Sequence, residues 1–299
     1  MAFLHSVGSQ GRSAQRSTRS RLSTPYLLLA PGMLWLITFF IFPIITLAST
    51  STMERPEGAA LGQFVQKFRF QNYSDAIASF WPQYLRSFLY AGLATLLALA
   101  IAYPLAYMIA FKSGKLRNIL LVLVVAPFFT SFLLRTIAWT QILGDDGPIV
   151  QLLKQLPFVT DSIRLTATPF AVVTGLTYNF LPFMTLPLYA SLERIDPRTL
   201  EASGDLYASG FTTFRKVTLP LSMPGVVAGT LLTFIPAAGD YVNAYILGNP
   251  KTKMIGNVIE ARFLAMDYST AAALSFTLMG SILILVTIYI RRAGTEELV

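Results

Sequence analysis

Few side chains in this sequence could carry chemistry, and their types exclude most of it. There is no cysteine, and the one histidine, His5, stands in a polar N-terminal stretch. A thiol nucleophile, a thiolate metal site and a histidine-based acid–base site all lack their residues, so no catalytic, metal or cofactor site is expected. No Gly-rich phosphate loop ending in Lys and Ser or Thr occurs, which leaves the chain without nucleotide-hydrolysing machinery of its own. Two groups of polar residues remain. The first is Asp240 with Tyr241, together with Tyr178 and Asn179, all embedded in apolar runs. A carboxylate, an aromatic face and an amide can replace water around a cation crossing hydrocarbon. Either Asp240 does this or it ends its run among headgroups; either Tyr178 and Asn179 line a path or they bond helix to helix. The second group is the dense polar segment Asp196–Pro224, which carries Arg198, Glu201, Asp205, Arg215 and Lys216.

The elements around these residues are membrane spans. The 299 residues are 54% hydrophobic and 13% charged, with mean hydropathy +0.57, against roughly 25% charged in a soluble domain. Residues 1–21 read as a disordered basic tail, and 22–299 as one all-α membrane domain of six helices. The spans are expected near Tyr26–Ser49, Ser87–Phe111, Asn118–Leu143, Pro169–Ala190, Ser222–Tyr245 and Thr270–Ile290. A short helix is expected at Asn72–Phe80, ahead of the second span. Leu22–Met53 is too long for a signal peptide core and reads as a retained span.

Six spans place both termini on one side. The tail, the Lys112–Arg117 turn, the loop at about 191–221 and Arg291–Arg292 hold about 13 basic residues, and the other three loops about 9. Short basic segments stay in the cytoplasm, so both termini and the 191–221 loop are expected there. The net charge of +8 thus follows membrane topology rather than nucleic-acid binding.

The 191–221 loop begins as a helix should, with Asp196 as N-cap and Pro197 in the first turn. It contains Glu201-Ala202-Ser203 and closes on Leu219-Pro220. This spacing resembles the EAA loop of ABC importer permeases. Ala126-Pro127-Phe128-Phe129-Thr130-Ser131 with Arg135, Leu181-Pro182-Phe183-Met184 with Pro187-Leu188-Tyr189, Leu221-Ser222-Met223-Pro224-Gly225 and Met254–Ile259 resemble the spermidine/putrescine branch of that family. The resemblance covers about Pro25 to Arg292 and implies the type I importer permease fold in the cell membrane. It also implies a coupling helix at Glu201, Ala202 and Ser203 that docks on an ATPase subunit. The partners implied are two ATP-binding-cassette ATPases, a second homologous permease in a pseudo-symmetric heterodimer, an extracytoplasmic substrate-binding protein and the lipid bilayer. The chain would then be a transport subunit and not an enzyme.

One position departs from the family pattern. The glycine expected six residues after the glutamate is Tyr207, so Gly204 or Gly210 is expected to make the bend instead, or the loop to stay straighter. Three further readings come from the residues. Arg135 should pair with Asp145 or Asp146, or snorkel. Gly225 and Gly229 suit a subunit interface or ordinary helix packing. Pro236 and Gly239 could unwind the fifth span beside Asp240. Rival functions are an importer for another amine-bearing solute, such as an opine or aminophosphonate, and a self-sufficient secondary transporter or channel. The latter should carry inverted repeats or intramembrane ionisable relays, and neither is visible.

Overall fold

The computed structural model describes residues 28–58, 60–157 and 163–293, so the expected tail, 1–21, lies outside the described residues. The chain divides into two units, Met1–Thr50 and Ser51–Val299. The first is described through helix α1 (Leu28–Ser51), an apolar span of 24 residues with a π turn at Ile37–Ile41.

Among the described residues the second unit has helices and one short hairpin, β1 (Met53–Glu54) antiparallel to β2 (Val65–Gln66). Glu54 pairs with Lys67 at 3.0 Å and with Arg69 at 3.1 Å, and the Lys67 hydrogen bond and charge hold its carboxyl below its ordinary pKa. Helix α2 (Gln71–Phe111) follows, then the bent pair α3 (Gly114–Phe129) and α4 (Phe132–Ile142), and the short α5 (Pro148–Lys154). Next come α6 (Pro169–Glu193), α7 (Pro197–Asp205), α8 (Gly210–Leu221) and α9 (Met223–Ala238). Helices α10 (Val242–Leu247), α11 (Ile255–Leu264) and α12 (Tyr268–Ala293) complete the order.

Helices α2, α6 and α9 form the centre of this unit. Their contact has a clear sequence cause. Ala91, Ala94, Ala98, Ala102 and Ala106 recur every three or four residues along α2 and are fully buried, while Leu89, Leu93, Leu96, Leu97 and Ile101 are exposed. Small side chains let helices approach closely, which drives association where lipid is as apolar as leucine. Helix α9 uses glycine in the same way. A Cβ on Gly225 would lie 2.5 Å from Ser191 Cβ and 2.7 Å from the Pro187 carbonyl oxygen; one on Gly229 would lie 2.9 Å from Met184 Sδ. The glycine pair is therefore spent inside the chain, against α6, and not on a subunit interface.

Among the described residues four helices are individually long and apolar enough to cross a membrane, and there are up to six spans if each bent pair is one. Three observed elements differ from what the sequence suggests. The helix expected at Asn72–Phe80 and the second span form one 41-residue helix, kinked at Phe80 (φ −121°, ψ 18°) just before Pro82. The third span is not straight: α3 and α4 meet at 97°. Pro127 cannot donate to the carbonyl one turn earlier, and Thr130 and Ser131 are extended, with the Thr130 hydroxyl donating back to the Pro127 carbonyl at 2.8 Å. The fifth span stops at Ala238, two residues after Pro236, and restarts as α10.

Candidate functional site

The polar loop between α6 and α9 is a helical hairpin with its ends fixed. At its entry the Arg117 guanidinium pairs with the Glu193 carboxylate, donates to the Tyr189 hydroxyl and lies 5.2 Å from the centre of that ring. Asp196 then caps α7, its Oδ1 accepting the Arg198 N–H at 3.0 Å. Ser209 caps α8, its hydroxyl accepting the Thr212 N–H at 3.3 Å. The two helices are joined by the hydroxyls of Ser203 and Thr213, 2.8 Å apart. At the exit the Ser222 hydroxyl lies 2.6 Å from Tyr103 OH on α2, and Phe214 meets the Tyr103 ring edge-on at 5.4 Å. Leu219 is partly buried and packed against the core, and Pro220 is exposed at the 66° bend between α8 and α9.

The side chains expected to dock divide into supporting and available ones. Ser203 is buried and holds the hairpin together. Glu201 and Ala202 are exposed, and Glu201 has no ion pair among the described residues.

Tyr207 makes the bend itself, contrary to the expectation that Gly204 or Gly210 would. Its φ is 56°, and the backbone closes a Schellman motif, with Tyr207 N–H donating to Gly204 O at 2.9 Å and Ala208 N–H to Ser203 O at 3.1 Å. The two carbonyls at the end of α7 thereby gain partners, which offsets a left-handed cost of roughly 1–2 kcal/mol for a residue with a Cβ.

Of the residues expected along a membrane path, Asp240 and Tyr241 lie at the break between α9 and α10, and Tyr178 and Asn179 lie within the continuous α6. Asp240 is buried and non-helical, and its Oδ1 accepts the Asn243 N–H at 2.8 Å, which caps α10. Tyr241 is half-exposed, and its carbonyl accepts from Asn257 Nδ2 at 2.7 Å. Gly256 allows α11 to press on this break, since a Cβ there would lie 2.6 Å from Gly239 O. Tyr178 and Asn179 part company, as neighbours on a helix must. Tyr178 is 36% exposed and meets Trp139 edge-on at 5.4 Å. Asn179 is buried and donates to Thr136 Oγ1 at 3.1 Å and to Asn243 Oδ1 at 3.0 Å. It thus ties α4 and α10, the far pieces of both broken spans, to the continuous α6.

Sequence reasoning missed Thr136, Asn243 and Trp139. Two amides in separate apolar runs were the available signal, because each needs a partner in hydrocarbon. Of the two outcomes expected for Arg135, pairing with Asp145 or Asp146 is not found among the described residues. Asp145 instead pairs with Arg164 at 3.4 Å, while Arg135 lies 5.8 Å from the ring centres of both Phe128 and Phe132. Its Nε and Nη1 are buried with no hydrogen-bond acceptor among the described residues. Among the described residues no cluster of three His, Cys, Asp or Glu could hold a metal ion.

Broken spans packed on a continuous central helix, joined by a polar helical hairpin, define a multi-pass membrane protein. Residues 102–293 match the family model of the binding-protein-dependent transport system inner membrane component, and the chain belongs to that family. It is 37% identical over 256 residues to the spermidine/putrescine transport system permease protein PotB of Haemophilus influenzae, covering 84% of this chain and 88% of that one. It is also 37% identical over 247 residues to PotB of Escherichia coli K12, covering 82% and 88%. Among solved structures, a chain of a bacterial alginate ABC transporter in complex with an alginate-bound periplasmic protein aligns with TM-score 0.73 over 95% of this chain and 99% of that one. Identity there is 17%, so that likeness concerns the fold, which is the type I importer permease fold.

Proposed function

We propose that this chain is one permease subunit of an ATP-driven importer for polyamines of the spermidine and putrescine class. The observation that carries the reading is the 37% identity to PotB across 84% of the chain. In this reading two ATPase subunits sit beneath two homologous permeases in a pseudo-symmetric pair, and an external binding protein delivers the solute. Both termini and the polar hairpin face the cytoplasm. Helix α7 docks through Glu201 and Ala202 in a groove of the ATPase, and ATP-driven closure moves it. The chain itself performs no covalent chemistry. Asp240 and Tyr241 at the break after α9, with Tyr178 and Asn179 on α6, line or support the solute path.

A second reading is favoured by one observation. The unpaired N–H groups of Arg135 would repel a polyamine but would suit an amine that also carries an acid, such as an opine or aminophosphonate. Competitive uptake separates the two. Labelled spermidine and putrescine should enter cells that hold this subunit and not cells that lack it, with little competition from an opine or an aminophosphonate. Competition by the acid-bearing amines instead would replace the polyamine reading. Glu201→Ala should abolish ATP-driven uptake while membrane insertion persists, and normal uptake in that variant would remove the docking role.

A further inference from the structure

Tyr207 combines two features that rarely meet. Its backbone is left-handed, with φ 56°, and its side chain is 99% exposed. The turn does not need the ring. Its two closing bonds, Tyr207 N–H to Gly204 O and Ala208 N–H to Ser203 O, are backbone bonds that a glycine would make without strain. Nor does the ring pack on the chain, so within this subunit the tyrosine costs free energy and returns none. Leu206 and Phe211 beside it are 82% and 73% exposed. Three large apolar side chains thus crowd the apex of the hairpin, a few residues from the exposed Glu201 and Ala202.

We propose that Tyr207 is an anchor that this chain adds to the coupling interface. Its ring enters an apolar socket on the ATPase subunit, with Leu206 and Phe211 at the rim, and selects an ATPase that has such a socket. The inference rests on the coupling reading of α7 given above. Continuity with the Glu201 and Ala202 surface makes the ATPase, rather than the lipid surface, the occupant. A strained residue whose side chain is idle in the free subunit is repaid when the partner buries it, and buried tyrosines are common among the few residues that dominate an interface.

The test uses the full affinity-tagged chain, purified in detergent from its own cells with the ATP-binding-cassette subunit that accompanies it. The ATPase is stripped and titrated back onto wild type, Tyr207→Gly, Tyr207→Phe and Glu201→Ala. Tyr207→Gly should weaken capture by about thirty-fold, the size of an interface hot spot. Its thermal unfolding should not fall, because glycine suits the turn. Tyr207→Phe should stay within about three-fold, since the ring and not the hydroxyl fills an apolar socket. Unchanged capture by Tyr207→Gly with weakened capture by Glu201→Ala overturns the anchor and leaves the coupling reading in place; the ring then serves lipid or nothing. Unchanged capture by both variants, or a wild-type chain that brings no ATPase with it, overturns both.

Discussion

Gly225→Ala tests the central packing, and Gly280→Ala is its built-in control. At Gly225 a methyl group would lie 2.5 Å from Ser191 Cβ and 2.7 Å from the Pro187 carbonyl oxygen. The second neighbour is backbone and cannot rotate away, so α9 must move off α6 by about an ångström. The shift also stretches the bond from the Gly225 N–H to Ser191 Oγ, now 3.2 Å. Overpacking of this kind costs about 1–3 kcal/mol, against a helix-propensity gain of at most about 1 kcal/mol. At Gly280 on α12 the same methyl meets nothing within 4 Å, so only the gain applies. Each kcal/mol moves the midpoint of a domain this size by about 2–4 °C. Gly225→Ala should therefore unfold several degrees below Gly280→Ala in a detergent thermal scan of the isolated subunit. Equal midpoints would refute the packing and would return the glycine pair to a subunit interface, where the isolated chain would not feel it.

Substitutions at two further positions test the breaks. Asp240→Asn keeps an oxygen acceptor for the Asn243 N–H and so should retain the cap of α10 and the thermal midpoint while slowing uptake of a dication. Asp240→Ala should lose both, and equal uptake by the Asn variant and wild type would leave Asp240 as a cap alone. Asn179→Leu removes the donors to Thr136 and Asn243, at about 0.6–1.7 kcal/mol per bond in a membrane. It should lower the midpoint by a few degrees, and an unchanged midpoint would mean that α4 and α10 are held by apolar packing instead.

Sequence reached the spans and the ends of the hairpin because those depend on local chemistry. Asp196 and Pro197 start α7 in the structure as their types require, and the apolar runs give the helices that follow them. The breaks were less legible. Hydropathy runs unbroken through Thr130 and Ser131, and one proline in an apolar run predicts a kink far more readily than a 97° corner. Pro236 and Gly239 did announce the second break, but the restart at Val242 depends on Asp240 capping it and on Gly256 admitting α11, a contact between distant residues. Tyr207 was misjudged for a related reason. The left-handed cost is a local property, whereas the two backbone bonds that offset it depend on where α7 ends.

The hydrogen bonds also say where a movement of α7 can be absorbed. Ser203 and Thr213 join α7 to α8, and the buried Ser222, held by Tyr103 and by the Leu219 carbonyl, fixes the bend into α9 to helix α2. Helix α9 then runs for 16 residues, about 24 Å, with its first turns set against α6 at Gly225 and Gly229. Helices α4 and α10 are tied to the same α6 through Asn179. With α9, α4 and α10 all referred to one helix, none can slide on it without breaking buried packing or a buried amide bond. Two joints where no ladder of helix bonds must be broken are the non-helical residues Thr130–Ser131 and Gly239–Tyr241. Under the proposed docking, force applied at Glu201 would act on those two joints, and the second of them holds Asp240 and Tyr241.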